Sequence, residues 1–142
     1  MQDTLRRMRE KRAGGDHGFT LIELLVVVVI IGVLVAIAIP VYLNYRKGAE
    51  NRSAESDVRG AIAAVEQCYT DNNNTYPASA AAAVTAPATL TLTCANGDQK
   101  INVSPNNTLN YVYNGGGKYT VTAVNGDTNK TYTYDNVSGQ IS

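Results

Sequence analysis

Histidine is nearly missing from this chain of 142 residues, because His17 is the only one. Beyond that position the chain offers neither a His-containing catalytic pair nor a His-based metal site. A phosphate-binding loop is also missing, since the Lys-Ser/Thr pair of such loops does not follow Gly115–Gly117. Two acidic turns, Asn96–Asp98 and Asn125–Asp127, are alternatives for Ca²⁺, but such sequences are more often hairpin turns. We expect no enzyme activity, no catalytic residue, no cofactor and no bound metal.

An excess of charge of either sign is missing as well. The 12 basic and 12 acidic residues balance, which gives the whole chain no attraction to nucleic acid. A length of 142 residues allows one domain with a small core and excludes a large enzyme of two lobes. The charge is nevertheless uneven, because residues 1–18 carry five basic against three acidic side chains. The positive-inside rule places a basic stretch before an apolar run on the cytoplasmic side of a membrane.

The N-terminal part divides into a polar leader, residues 1–18, and an apolar segment, residues 19–43. At about 1.5 Å per residue, the apolar segment is long enough as a helix to cross a hydrocarbon core of about 30 Å. An ordinary secretory signal is cleaved after its apolar region. The abrupt polar-to-apolar junction of this chain, Gly18 to Phe19, lies before that region instead. If the chain is cut at this junction, the apolar segment stays in the product.

The third segment, residues 44–70, has helical periodicity on a polar background. Apolar residues recur at the i, i+3, i+4, i+7 spacing of one helix face; they are Val58, Ala61, Ile62, Val65 and Tyr69. Charged residues, Arg52, Glu55, Arg59 and Glu66, fall elsewhere on the helical wheel. We predict one helix of about 50 residues, about 75 Å long, whose second half packs against the rest of the chain.

The fourth segment, residues 71–142, is rich in Asn, Thr, Gly and Tyr and predicts a globular head. Turn residues end the helix after Asp71, and Ala78–Ala88 is interpreted as a loop, with a short helix as the alternative. The strand candidates are Thr89–Cys94, Lys100–Val103, Leu109–Tyr113, Lys118–Val124 and Lys130–Asp135. Asn114–Gly117 and Asn125–Asp127 are hairpin signals. The expected fold class is α+β, a long helix packed on a small antiparallel sheet of three to five strands.

Two side-chain types give further expectations for the head. Cys68 and Cys94 lie in a part of the chain that looks exported, so we predict a disulfide, with two buried free thiols as the alternative. Closing a loop of that size contributes roughly 3 kcal/mol to stability in the chain-entropy model.

Tyrosines spaced two apart, such as Tyr111 and Tyr113, favour one core-facing side of a sheet. The alternative is an exposed aromatic face that binds glycans, DNA or other surfaces.

The stretch GFTLIELLVVVVIIGVLVAIAIP, Gly18 to Pro40, resembles the N-terminal motif of type IV pilins and the related pseudopilins. The matching features are a leader ending in Gly, Phe at the new N-terminus, Glu23 four residues later, and an apolar stretch ending in Pro. The resemblance implies that a prepilin peptidase cuts after Gly18 and that Phe19 is N-methylated. It also implies that the helix loosens between Gly32 and Pro40 when subunits pack. The continuation from Val41 to Pro77 resembles pilins of high-GC Gram-positive bacteria.

Glu23 is a carboxylate within an apolar helix, a position where a charge must find a partner or be neutralised. No Lys or Arg lies between Phe19 and Tyr45 to serve as that partner. Cleavage after Gly18 would create a cation, the amine of Phe19, about one helical turn away. In a bundle of staggered identical helices, the amine of one chain could meet Glu23 of a neighbour, which would make Glu23 an assembly signal. The alternative is a solvated Glu23 at the level of the lipid headgroups.

The resemblance implies a structural subunit, stored in the cytoplasmic membrane and polymerised into an extracellular filament for adhesion, motility or DNA uptake. The implied partners are further copies of the chain in a helical homopolymer, the prepilin peptidase and N-methyltransferase, an assembly machinery with an ATPase motor, and the membrane. Two alternatives stay open. One is a pseudopilin of a type II secretion system; the other is a membrane-tethered binding module that never polymerises.

Overall fold

A computed structural model describes residues 18–80 and 82–142 of the chain. The predicted leader, residues 1–17 with its arginines and His17, lies outside the described residues. The chain divides into two compact units, residues 1–42 and 43–142. One helix, α1 (Leu21–Asp71), contributes its first part to the N-terminal unit and the remainder to the C-terminal unit.

The N-terminal unit contains the apolar part of α1. All residues from Gly18 to Ala49 are exposed, including the large Val, Ile and Leu side chains. By length and composition this helix is able to cross a membrane. A helix suits such a segment because it satisfies its own backbone hydrogen bonds, which lipid cannot do. Pro40 lies inside α1.

The C-terminal unit begins with the rest of α1, which buries one side against the sheet. The residues on that side recur at helical spacing; they are Ala54, Asp57, Val58, Ala61, Val65 and Cys68. The predicted face is therefore confirmed at Val58, Ala61 and Val65, whereas Ile62 and Tyr69 are half-buried. The helix ends where Asn73 and Asn74 adopt left-handed backbone angles, φ 52° and 59°. Asparagine tolerates that region and commonly ends helices there.

Among the described residues, seven strands follow the helix. Their bounds are β1 Val84–Thr85, β2 Thr89–Leu92, β3 Gln99–Asn102, β4 Asn107–Gly115, β5 Lys118–Asn125, β6 Thr131–Asp135 and β7 Gln140–Ile141. Five of them form an antiparallel sheet in the order β1-β4-β5-β6-β7. The other two, β2 and β3, form a separate antiparallel pair. The predicted α+β class, a long helix packed on an antiparallel sheet, is confirmed.

The core lies between α1 and the alternate residues of the sheet strands. On β4 and β5, buried residues alternate with more exposed ones, as expected when one face of a sheet is covered. Cross-strand partners on the covered face include Tyr111 with Val121, and Val121 with Tyr134. Tyr111 and Tyr119 are fully buried. Of the tyrosines spaced two apart, Tyr111 is buried in the core, and Tyr113, Tyr132 and Tyr134 are partly buried against it.

Two predictions about the head are corrected. The region Ala78–Ala88 is not simply a loop, because Val84 and Thr85 pair with Leu109 and Thr108 of β4 and add an edge strand. Local sequence could not predict this strand, since it is defined by pairing with residues more than 20 positions away. The two strand candidates at Thr89–Cys94 and Lys100–Val103 do not join the main sheet but pair with each other. The last strand, β7, had no sequence candidate because it has only two residues.

Candidate functional site

The predicted processing junction lies just outside the start of α1. Gly18, Phe19 and Thr20 have no regular secondary structure, and α1 begins at Leu21. The Phe19 ring is 74% exposed. The peptide bond between Gly18 and Phe19 therefore lies in exposed, non-helical chain, which is the form that a protease active site accepts.

Thr20 and Glu23 close the first turn of α1 as a capping box. The backbone N–H and the hydroxyl of Thr20 both donate to Oε2 of Glu23, each at 2.8 Å. In return, the backbone N–H of Glu23 donates to the Thr20 hydroxyl at 3.3 Å. The first four N–H groups of a helix lack partners within it, and this Thr-x-x-Glu pattern satisfies two donors at once.

Sequence reasoning missed the capping box, although the spacing Thr20-x-x-Glu23 before an apolar run is a readable indication of it. The carboxylate thus has hydrogen-bond partners within its own chain. It has no cationic partner among the described residues, where the two ion pairs are Arg46–Glu50 and Arg59–Glu55. The charge of Glu23 is therefore hydrogen-bonded but not neutralised.

Gly32 and Pro40 lie further along the same helix, and the structure does not bring them together with Glu23. Glu23 and Gly32 are nine residues apart, and Gly32 and Pro40 are eight residues apart. These separations correspond to about 13 and 12 Å along the helix axis. No atom lies within 4 Å of the position that a Cβ on Gly32 would occupy. The surface around Gly32 is thus open to close approach by another helix.

A disulfide joins Cys68 of α1 to Cys94, with a Cα–Cα distance of 5.3 Å. Cys94 follows β2 by two residues, so the bond ties the last turns of the helix to the β2–β3 pair. Next to it, the side chain of Asn72 accepts a hydrogen bond from the backbone N–H of Ala95. The predicted pairing is present, and the end of the helix is held at two adjacent points.

Glu66 connects the helix to the aromatic part of the core. Its Oε1 accepts hydrogen bonds from the hydroxyls of Tyr119 at 2.7 Å and Tyr76 at 3.2 Å. The rings of Tyr76 and Tyr119 lie 4.8 Å apart, within the range of favourable aromatic contact. Sequence analysis placed Glu66 away from the packing face; in the structure it is half-buried and bonded across to the sheet.

Burial raises the pKa of Tyr111 and Tyr119 well above the ordinary tyrosine value. For Tyr119 the hydrogen bond to Glu66 raises the pKa further, because the neutral hydroxyl is the form that donates to the carboxylate. Burial also raises the pKa of Tyr76, with the charge of Glu66 as the next contribution. These hydroxyls are therefore neutral donors over the whole physiological range.

A buried polar network around Asp57 also went unrecognised in the sequence. The backbone N–H of Ser104 donates to Asp57 Oδ2 at 3.0 Å, and its hydroxyl donates to Oδ1 at 2.6 Å. The side-chain amide of Asn107 donates to Asp57 Oδ2 at 2.7 Å and accepts a bond from the Asn125 amide at 2.8 Å. Asn125 in turn accepts bonds from Thr128. Asn125 is thus part of this network rather than an open Ca²⁺ ligand.

The position of Asp57 in the helical repeat was a usable indication of that network. Asp57 lies among the residues that recur at the spacing of the buried side, between Ala54 and Ala61. A carboxylate at such a position is almost always hydrogen-bonded or paired. Its partners come from residues about 50 positions later in the chain, and no local pattern predicts them.

Comparison with known proteins places the N-terminal region in a described group. Residues 15–39 match the prokaryotic N-terminal methylation motif. The chain is 44% identical over 68 residues to the fimbrial protein EcpC of Eikenella corrodens, covering 48% of this chain and 44% of that protein. It is 38% identical over 73 residues to the type IV major pilin protein PilE1 of Neisseria gonorrhoeae, covering 51% and 34%. The resemblance to type IV pilins is confirmed.

The chain is also similar to a protein that is named for secretion rather than for a pilus. The type II secretion system core protein G of Pectobacterium carotovorum subsp. carotovorum is 37% identical over 64 residues, covering 45% of this chain and 40% of that protein. In each of these three relatives the aligned part spans less than half of the relative's length. No solved structure matches the chain significantly. The finer resemblance to pilins of high-GC Gram-positive bacteria is not supported by these relatives and stays a prediction.

The matched motif contains four of the predicted site residues, Gly18, Phe19, Glu23 and Gly32, while Pro40 lies one residue beyond it. The structure groups the first three at the start of α1 and leaves Gly32 and Pro40 separate.

Proposed function

We propose that this chain is a structural subunit of a type IV pilus, cleaved after Gly18 and polymerised into an extracellular filament for adhesion, motility or DNA uptake. The observation that supports the proposal is the exposed Gly18–Phe19 junction. After it come Glu23, four residues later, and an apolar helix whose side chains no other described part of the chain covers. A surface of this kind suits two environments in turn. Lipid covers it in the precursor, and the same surface of neighbouring copies covers it in the filament.

The energetics favour such a transfer only when neighbours pack closely. Removing a Val, Leu or Ile side chain from water is worth about 1.5–3 kcal/mol, but lipid already provides that gain to the precursor. Close packing and polar contacts must therefore supply the preference for the filament. Gly32 permits close approach of helices, and Pro40 removes one backbone hydrogen bond because proline has no N–H, so that the helix between them can loosen as subunits pack.

The partners of this proposal follow from the chemistry of the junction. A prepilin peptidase on the cytoplasmic side cuts after Gly18 and methylates the new amine of Phe19. An assembly machinery with an ATPase motor then extracts the subunit from the cytoplasmic membrane, since an apolar helix does not leave lipid spontaneously. The chain itself has a structural role and catalyses no reaction.

Two measurements on one preparation test the proposal. Cell-surface material is sheared, inspected by electron microscopy and analysed by intact-mass spectrometry. We expect long filaments whose subunit begins at Phe19 with one added methyl group. Filaments whose subunit still carries Arg6–Lys11 would contradict the cleavage, and the absence of this chain from sheared filaments would contradict the pilus.

The similarity to type II secretion core protein G favours one second candidate, a pseudopilin that forms a short periplasmic filament for protein export. Deletion of the gene distinguishes the two. A pilus subunit is needed for surface filaments and leaves protein secretion intact, whereas a pseudopilin is needed for secretion of folded proteins and leaves surface filaments intact. No contact in the described residues favours a tethered module that never polymerises.

A further inference from the structure

The tripeptide Asn-Xaa-Ser/Thr, in which Xaa is not proline, is the acceptor sequence for Asn-linked glycosylation. It occurs six times in this chain, beginning at Asn51, Asn73, Asn102, Asn106, Asn129 and Asn136. Only two of the six have an aspartate two residues before the asparagine, in DNNNT (Asp71–Thr75) and DTNKT (Asp127–Thr131). We propose that Asn73 and Asn129 are acceptor sites for oligosaccharides transferred by a bacterial oligosaccharyltransferase.

The structure separates the same two sites from the other four. The acceptor amide must be free to approach the sugar donor, but four of the six side chains are already hydrogen-bonded. Asn51 accepts a bond from Thr128 at 2.6 Å, and Asn102 accepts one from Thr89 at 3.5 Å. Asn106 donates to Asp127 at 2.8 Å. Asn136 bonds to the backbone of two residues, at 2.8 and 2.9 Å.

The remaining two amides are free and fully accessible. Neither the Asn73 nor the Asn129 side chain makes a hydrogen bond to any other described residue. Both tripeptides, 73–75 and 129–131, are exposed at all three positions. Both asparagines lie in turns at positive φ, 52° after the end of α1 and 54° between β5 and β6. Such turns project from the surface, so an enzyme can reach them without unfolding the core.

The two aspartates have the property that a bacterial enzyme requires at this position, a negative charge open to one of its own cationic side chains. Asp71 accepts one hydrogen bond, from Gln67 at 3.1 Å, and Asp127 accepts one from Asn106. Neither carboxylate is in an ion pair; the two ion pairs of the described chain are elsewhere, on α1. Each carboxylate can therefore pair with a Lys or Arg of the transferase.

The reaction needs a lipid-linked oligosaccharide as co-substrate. The Nδ2 atom of asparagine forms a bond to C1 of the first sugar, and the bond between C1 and the phosphate oxygen breaks. The polyprenyl diphosphate leaves with the electron pair, and the amide loses one proton to a basic group of the enzyme. The product carries one oligosaccharide in the turn after α1 and one in the turn between β5 and β6.

This inference rests on the proposed export of the head across the membrane, because such transferases act on that side. It does not depend on filament assembly. The Cys68–Cys94 disulfide reports export independently, since it forms in an oxidising compartment.

The full chain is co-expressed in a bacterium with an oligosaccharyltransferase that selects an acidic residue at the −2 position, and with its polyprenyl-linked heptasaccharide donor. Intact-mass and peptide spectrometry of the membrane-extracted protein should show two additions, each equal to the donor oligosaccharide, on Asn73 and Asn129. Thr75→Val and Thr131→Val should each remove one addition, and Thr75→Ser should retain it. Asp71→Ala should remove the addition on Asn73 and leave that on Asn129.

Ser138→Ala is the matched control, because it destroys the acceptor tripeptide at the hydrogen-bonded Asn136 and should change nothing. A head that carries the disulfide but no sugar would overturn the inference and leave the proposed function untouched. Sugar on the four bonded asparagines to the same extent, or on Thr75 instead of Asn73, would overturn it as well. A head that carries neither the disulfide nor sugar would contradict both the inference and the proposed function.

Discussion

At the scale of single residues, Glu23 has one observed role, in the helix cap, and one predicted role, in assembly, and the two differ in their need for charge. Its hydrogen bonds with Thr20 close the first turn of α1, and glutamine serves in a capping box as well as glutamate does. Pairing with an N-terminal amine in a neighbouring subunit requires the negative charge. A substitution that keeps the side-chain shape and removes the charge therefore distinguishes helix capping from assembly.

We predict that Glu23→Gln inserts into the membrane and is cleaved normally but assembles poorly when it is the sole subunit. The measurement is filament number and length by electron microscopy, at matched membrane levels of processed protein. Thr20→Val is the complementary variant, since it disrupts the cap and keeps the carboxylate; it should still form filaments. Normal filaments from Glu23→Gln, together with a defect in Thr20→Val, would assign Glu23 to capping alone.

Asp57 shows how one buried carboxylate links the helix to two distant turns. Asp57→Ala leaves the Ser104 N–H and the Asn107 amide without their acceptor in a buried site. Each unsatisfied group costs about 1–3 kcal/mol, so for the two groups we predict a loss of about 2–6 kcal/mol in the free energy of unfolding. Urea unfolding of the processed protein in detergent measures it. Asp98→Ala, in an exposed turn, should change stability by less than about 0.5 kcal/mol; equal losses from both variants would contradict the role of the network.

At the scale of elements, α1 joins two units with opposite requirements. Its first part has no buried residue and depends on lipid or on other subunits, whereas its second part is covered by the sheet. The disulfide fixes the far end of that second part to the β2–β3 pair, which is not hydrogen-bonded to the main sheet. The disulfide therefore attaches to α1 the pair of strands that has no hydrogen bonds to the main sheet.

We predict that Cys68→Ser with Cys94→Ser lowers the free energy of unfolding by about 3–3.5 kcal/mol, in line with the chain-entropy value for a loop of this length. The β2–β3 pair should lose hydrogen-exchange protection before β4 and β5 do. Tyrosine fluorescence is the appropriate probe of unfolding because the chain has no tryptophan. Equal stability of the oxidised and the doubly substituted protein would show that the disulfide does not hold the head together.

At the scale of the whole molecule, the aromatic core makes the head sensitive to alkali. The pKa values of Tyr76, Tyr111 and Tyr119 are raised in the folded state, mainly by burial. Unfolded tyrosines titrate near pH 10, so above that pH the unfolded chain releases protons that the folded chain keeps. The contribution of these residues is fully present below about pH 10 and is lost as the pH rises toward the folded pKa values.

We predict that the free energy of unfolding is flat up to about pH 9.5 and falls steeply between about pH 10 and 12. Urea titrations at intervals across this range measure it, and the tyrosinate signals of Tyr76, Tyr111 and Tyr119, three of the nine tyrosines, should appear together with unfolding rather than before it. Tyr119→Phe should make the fall shallower, because one of the shifted groups is then missing. Ionisation of these three tyrosines in a still folded head would contradict the burial argument.

The sequence by itself determined the N-terminal region and the class of the fold. A run of apolar residues has few structural options in water or lipid, so the helix, the junction at Gly18–Phe19 and the unpaired charge of Glu23 could all be predicted. The periodic residues Val58, Ala61 and Val65 likewise identified a packing face. The disulfide was predictable because the chain has only two cysteines.

Only the tertiary structure decided which distant residues meet. The edge strand β1 exists because of β4, and the buried Asp57 and the half-buried Glu66 bind donors about 50 residues away. The asparagines show the same dependence: six begin the same local tripeptide, and hydrogen bonds formed in the fold occupy four of these side chains and leave Asn73 and Asn129 free. Local sequence patterns describe residues that are close in sequence, whereas burial and strand pairing depend on contacts between residues that are far apart in sequence.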